Sequence, residues 1–138
     1  HPRGASAARA NLYTGEKEHL FPLAAEKGGY LHRQLQSAFA DHPLVGDVRG
    51  FGLIGAVELV ARKDPPEAFD PKLTVAVRVA KKALELGVLT RALPAADTLA
   101  FSPPLIISER EIDTLVSTVR AAVDEIQSEL LNNGDWKR

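Results

Sequence analysis

Two arginines stand where an arginine is costly. Arg49 and Arg91 each sit in or beside a β-prone, apolar stretch. A guanidinium in such a setting needs its donors matched. Arg49 reads as a buried structural ion pair or as a clamp on backbone carbonyls. Arg91 falls at a strand-to-turn boundary, a place suited to gripping a carboxylate through two parallel hydrogen bonds. Composition alone leaves a structural role and an anion-binding role open for Arg91.

The other chemical candidates are weaker. Gly50-Phe51-Gly52-Leu53-Ile54-Gly55 matches G-x-G-x-x-G, and Asp70 lies 20 residues beyond Gly50. A dinucleotide site requires that motif to leave a strand and open a helix. Here it lies within a β-prone run followed by valines and a loop, so close backbone packing is the better reading. His1, His19, His32 and His42 are scattered. No pair has the spacing that aims two imidazoles at one metal, and they read as surface or boundary residues. Lys81 and Lys82 fall on the exposed side of a charged helix and read as solvated. No serine sits in a nucleophile elbow. With 0 cysteines, thiol catalysis and cysteine–zinc sites are excluded.

The elements that must position these residues follow from periodicity. Ala- and charge-rich residues 3–18 read as a first helix, and apolar steps of three and four over 21–40 as a second. Pro22 is tolerated in the first turn of that second helix. Gly28 and Gly29 interrupt it and predict a close neighbour there. Residues 45–61 carry one or two strands with a face of small residues. A charged, Pro-containing loop follows to Phe69. Asp70-Pro71 reads as the cap and first turn of a helix ending at Gly87. Short strands over 88–93 and 98–101 flank a turn at Pro94-Ala95-Ala96-Asp97. Ser108 and Glu111 form a capping box before a long apolar stripe from Ile112 to Leu130. Residues 132–138 read as a polar tail. The fold class is therefore α+β: a small, largely antiparallel sheet with helices packed on one face and a long C-terminal helix.

The balance of the chain limits its partners. It has 138 residues, 45% hydrophobic and 25% charged, with a net charge of -1. That is a globular composition without the polyelectrolyte signal of a nucleic-acid or anionic-membrane binder. No apolar run approaches the ~20 residues of a spanning helix. The chain has 0 methionines and starts His1-Pro2, which predicts a piece of something longer.

Val45-Gly46-Asp47-Val48-Arg49-Gly50-Phe51-Gly52-Leu53, followed by Glu58-Leu59, resembles the V-G-[DE]-V-R-G-x-G-L…E-L stretch of class III aminotransferases. Gly87-Val88-Leu89-Thr90-Arg91 resembles their G-[LV]-[IL]-x-R strand. Ser102-Pro103-Pro104-Leu105-Ile106-Ile107-Ser108-Glu109 resembles the segment that leads into their last helix. His1-Pro2 resembles the end of their G-H-P motif. The resemblance covers nearly the whole chain in order and spacing.

It implies that residues 1–138 are the C-terminal small domain of a pyridoxal-phosphate enzyme of fold type I, omega-amine or beta-alanine:pyruvate-type. In the family this domain packs on a large cofactor domain, at a homodimer interface. The Schiff-base lysine and the phosphate-binding threonine lie upstream of the G-H-P motif. So the resemblance implies no catalytic, cofactor-binding or metal residue here, and an inactive fragment when isolated. Arg91 matches the arginine that pairs with the carboxylate of a keto acid such as pyruvate and swings away for an amine lacking one. Ornithine- and gamma-aminobutyrate-type members carry their arginine instead where this chain has Ala100. The partners implied are the enzyme's own large domain, a second subunit, an amine and a keto acid, in the cytoplasm, with no nucleic acid and no membrane. An aminomutase of the same fold type, or a free-standing ligand-binding or interaction module, stays open as an alternative.

Overall fold

A computed structural model describes residues 6–93 and 96–138, with side chains from Pro22 onward. The chain runs α1 (Ser6–Phe39), β1 (Val45–Phe51), β2 (Ile54–Leu59), β3 (Arg62–Lys63), β4 (Pro66–Glu67), α2 (Val75–Glu85), β5 (Arg91–Leu93), β6 (Thr98–Phe101) and α3 (Glu109–Asn132). Four strands make one sheet in the order β1-β2-β6-β5, every neighbour antiparallel. β3 and β4 form a separate small hairpin. α1 lies against β1 and β2, α2 against β5 and β6, and α3 packs across both helices. All three helices are thus on one side, and the α+β expectation holds.

The core is the meeting of these helices with one sheet face. Leu31, Leu35 and Phe39 from α1 meet Val57, Leu59, Leu99 and Phe101 from the sheet. Val75, Val79 and Ala83 from α2 join Ile112, Val119, Val123, Ile126 and Leu130 from α3. The four- and three-residue steps within each helix are what brings those side chains to one stripe. Polar ties pin the helices at their rims. The Tyr30 hydroxyl donates to Asp113 Oδ1 at 2.7 Å, joining α1 to α3. That bond holds the Asp113 carboxyl below its usual pKa and raises that of Tyr30. Arg78 of α2 pairs with Glu129 of α3 at 2.9 Å.

Several sequence expectations need correction. The two expected helices are one, α1, with Pro22 inside it rather than in a first turn. Residues 3–5 of the first expected helix lie outside the described residues. The β-prone run does fold as two strands, but the turn at Gly52 and Leu53 reverses the parity of the side chains. Gly50 and Gly55 therefore face α1, while Phe51 is 86% exposed. Asp70 caps the 3-10 turn Pro71–Leu73, its carboxylate accepting from Lys72 N at 2.9 Å, and α2 begins after it. The loop 61–69 contains the β3–β4 hairpin. The strand expected from Val88 starts only at Arg91. Of the turn at 94–97, Pro94 and Ala95 lie outside the described residues.

Three expectations are met closely. Gly87 follows α2 with φ of 102°, a conformation that favours glycine. The capping box forms: Ser108 accepts from Glu111 N at 3.1 Å and Glu111 accepts from Ser108 N at 2.9 Å. Gly28 has the predicted close neighbour, since a Cβ there would lie 1.8 Å from the Gly52 carbonyl oxygen. The hairpin tip rests on the helix backbone itself. The polar tail is not free. Trp136 is buried, and its indole N–H donates to the Ala61 carbonyl at 2.8 Å.

Candidate functional site

Arg91 and Ala100 face each other across β5 and β6. Ala100 in turn faces Ala56 on β2, and Ala56 faces Arg49 on β1. Directly opposed residues project to the same face of a sheet. One row, Arg49–Ala56–Ala100–Arg91, therefore crosses all four strands on the side that no helix among the described residues covers. The neighbouring row, Val48, Val57 and Leu99, points inward and is buried. At ~4.8 Å per strand the backbone ends of the outer row stand roughly 14 Å apart. Two alanines between two arginines leave a low floor with a cation at each end.

The two cations are in different states. Arg49 Nη1 donates to Asp47 Oδ2 at 2.9 Å and to Glu58 Oε1 at 3.0 Å. These two hydrogen bonds raise its pKa, so its charge is spent on neighbours. The expected ion pair is present, but the side chain is 52% exposed rather than buried. The reversal of parity at the hairpin tip puts it on the open face. Arg91 is exposed and has no ion-pair partner among the described residues.

Arg91 stands on the rim of a cleft of about 520 Å³. Thr90, Ser102, Pro103 and Ile107 line it, with Glu111 and Leu115 from the first turns of α3. Glu111 does not neutralise the arginine. Its carboxylate is held by the Ser108 backbone N–H and hydroxyl, which lower its pKa. Thr90 Oγ1 is buried there without a hydrogen-bond partner among the described residues. The cleft can thus take an anion at its rim against a mostly apolar wall. It does not suit pyridoxal phosphate, because no lysine amine lines it and its one carboxylate is committed to the helix cap.

The remaining candidates resolve individually. The G-x-G-x-x-G stretch is the β1–β2 hairpin, with no helix following it, so its glycines serve close packing. His42 is buried, not a surface residue, because both ring nitrogens find partners. Leu44 N donates to Nδ1 at 3.1 Å, which leaves Nε2 to donate to Asp124 Oδ1 at 2.7 Å. That pattern requires a neutral ring, and burial lowers its pKa against the pull of Asp124. Lys82 is partly shielded and paired with Glu85 and Glu125 at 3.0 and 3.2 Å, whereas Lys81 is exposed. His32 packs by Gly50, and the side chains of His1 and His19 lie outside the described residues. No group of three or more His, Cys, Asp or Glu among the described residues is placed to hold a metal. The alanine floor was not visible in the sequence. Ala56 and Ala100 carry no chemical signal until the register sets them between two arginines.

Residues 1–123 match the family model for "Aminotransferase class-III". An uncharacterized aminotransferase from Sinorhizobium fredii is 45% identical over 97% of this chain and 29% of its own length. A diaminobutyrate–2-oxoglutarate transaminase from Halomonas elongata is 40% identical over the same shares, 97% and 29%. A putrescine–pyruvate aminotransferase from Pseudomonas aeruginosa is 35% identical over 95% of this chain and 28% of its length. Among solved structures, a transaminase from the marine bacterium Virgibacillus superposes with a TM-score of 0.82 at 32% identity, covering 91% of this chain and 29% of that one. An omega transaminase from Pseudomonas jessenii superposes at 0.75 with 41% identity, over 86% and 25%. The chain thus spans less than a third of the length of these relatives. Sequence and fold agree over nearly its whole extent, and the chain belongs to the class III aminotransferases.

Proposed function

We propose that residues 1–138 serve as the C-terminal small domain of a pyridoxal-phosphate-dependent transaminase. The enzyme moves an amino group from an amine or omega-amino acid to a keto acid such as pyruvate. It works as a homodimer in the cytoplasm. The cofactor, held outside this chain, supplies the electron sink for the transfer. The part played by this chain is to bind and orient the acid. Arg91 holds the carboxylate of the keto acid or amino acid and swings aside for an amine without one.

One observation carries this reading: Arg91 is a cation at a cleft rim without an ion-pair partner among the described residues, while Arg49 in the same sheet row is paired with Asp47 and Glu58. An unpaired guanidinium on a long stem can offer its planar fork to a carboxylate and still withdraw. The register adds support. The position where ornithine- and gamma-aminobutyrate-type members carry an arginine is here Ala100, directly opposite Arg91. A guanidinium from either strand starts from the same face at the same level. The alanine leaves that space to Arg91. Relatives acting on pyruvate and on 2-oxoglutarate are both similar to this chain, and both keto acids present the same α-carboxylate.

The test is steady-state kinetics on the full-length enzyme. Arg91→Ala is expected to raise KM for pyruvate tenfold or more, the loss of one charge-assisted fork of about 1.5–3 kcal/mol. KM for a carboxylate-free amine should change little. Equal effects on both substrates would remove Arg91 from the role.

A further inference from the structure

α3 runs out through Asn132-Asn133-Gly134. Asn133 and Gly134 are both exposed. Asn133 closes the helix with φ of -84° and ψ of -6°, its N–H donating to the Glu129 carbonyl at 2.9 Å. Gly134 follows with φ of 77°, a conformation that favours glycine. The pair sets a side-chain amide one residue ahead of a backbone nitrogen that no Cβ shields. That nitrogen can attack the amide carbon and close a five-membered ring. Asn132 is followed instead by a residue with a side chain, which crowds the same approach.

The fold holds this reaction back. Gly134 N donates to the Leu131 carbonyl at 3.1 Å. Asp135 N and Trp136 N both donate to the Leu130 carbonyl, at 2.8 and 3.2 Å. Trp136 is buried, and its indole bond to Ala61 anchors the segment from the far side. Ring closure needs the Asn133 ψ to rotate far from -6°. That rotation breaks the Gly134 bond and swings the following residues off Leu130. Helix ends and terminal segments open at lower cost than the core. The rate of attack is therefore set by how often this corner lets go.

We propose that Asn133 is a site of self-modification, converted to aspartate or isoaspartate by attack of the Gly134 nitrogen when this corner opens. Solvent base takes the Gly134 N–H proton. The nitrogen bonds to Asn133 Cγ, the bond from Cγ to Nδ2 breaks, and Nδ2 leaves as ammonia with a proton from solvent. Water then adds to either ring carbonyl and breaks its bond to the nitrogen. One amide and one water become one carboxylate and one ammonia, with no change of oxidation state. Opening at the main-chain carbonyl leaves isoaspartate, which lengthens the backbone by one carbon ahead of Gly134. Either product puts a carboxylate at the end of a helix with no basic residue in its last turn. The helix dipole disfavours an anion there, so the opened corner is kept open. No residue of the Arg91 cleft takes part.

The experiment holds the full-length, cofactor-loaded enzyme in mildly alkaline buffer and samples it over time. Trypsin releases the peptide from Ala121 to Lys137, whose mass gain on exchange of amide for acid is followed. The same peptide, free in solution, is the unfolded control. Conversion in the enzyme is expected roughly tenfold to a hundredfold slower than in the free peptide. Trp136→Ala should bring the enzyme close to the peptide's rate. Trp136→Phe keeps a buried ring without the bond to Ala61 and should speed conversion severalfold. Asn133→Gln should abolish the gain, because the longer side chain closes a ring poorly. The proposal is overturned by a mass gain that survives Asn133→Gln. It is equally overturned by equal rates in enzyme and free peptide, by rates unchanged in both Trp136 variants, or by no gain after a hundred half-lives of the free peptide.

Discussion

Arg49 and Arg91 show how little residue type says without register. Both are arginines beside glycines and apolar residues, and both belong to one row of one sheet. Asp47 and Glu58 flank Arg49 and absorb its charge, while no acid among the described residues pairs with Arg91. His42 is the other residue whose state is set by neighbours. Its neutral ring accepts from Leu44 N and donates to Asp124, and protonation at Nδ1 would break the first of these bonds. The unfolded ring takes its proton near pH 6.5, whereas the folded ring resists it. The unfolded state therefore binds more protons just below that pH, and stability falls as pH drops through about 6.5 toward the folded value. Denaturant midpoints of the chain at descending pH should show the loss, and His42→Asn should flatten that part of the profile. A wild-type profile unchanged between pH 7.5 and 5.5 would contradict the neutral-ring assignment.

At the scale of elements, close approach and capping decide the outcome. Gly28 lets the β1–β2 tip rest on α1, and a methyl group there would collide with the Gly52 carbonyl. Gly28→Ala should therefore cost the upper part of the about 1–3 kcal/mol typical of overpacking, or more, because the obstacle is backbone. Gly29→Ala meets only the end of Arg33, at 3.3 Å, and should be neutral or gain up to about 1 kcal/mol of helix propensity. Paired urea melts of the two alanine variants read the contrast, and equal destabilisation would remove the tip contact as its cause. The capping box makes a smaller claim. Ser108→Ala should lower stability by about 1 kcal/mol, seen in the same melts.

For the molecule as a whole, the sequence carried most of the architecture and little of the site. The α3 stripe and its cap, the Gly87 stop and the all-helices-on-one-face arrangement follow from spacing alone. The hairpin parity did not, because a turn at Gly52 and Leu53 exchanges the two faces and no local signal fixes its length. The single α1 was hidden by Pro22, which reads as a start signal and here sits in mid-helix. The burial of His42 was hidden because its partner, Asp124, is 82 residues away. Arg91 stands out in the sequence as a candidate anion contact through its strand position and its family motif. That no described residue forms an ion pair with it was legible only in three dimensions. The sheet face that carries it also exposes two large apolar side chains, Phe51 and Ile54, 86% and 57% exposed. That exposed pair and the arginine share a surface, so anything that packs on this face also shapes access to Arg91.

Trp136 gives the protein a built-in optical gauge. It is the 1 tryptophan in the sequence, and its indole is buried and hydrogen-bonded to Ala61. In this chain, emission excited at the red edge of protein absorbance comes from that one point, where the last segment meets the β3 hairpin. A red shift reports that the segment has let go, while the α1 and α3 packing is followed separately by circular dichroism. Fluorescence leading circular dichroism on heating would show the domain loosening from its C-terminal corner inward.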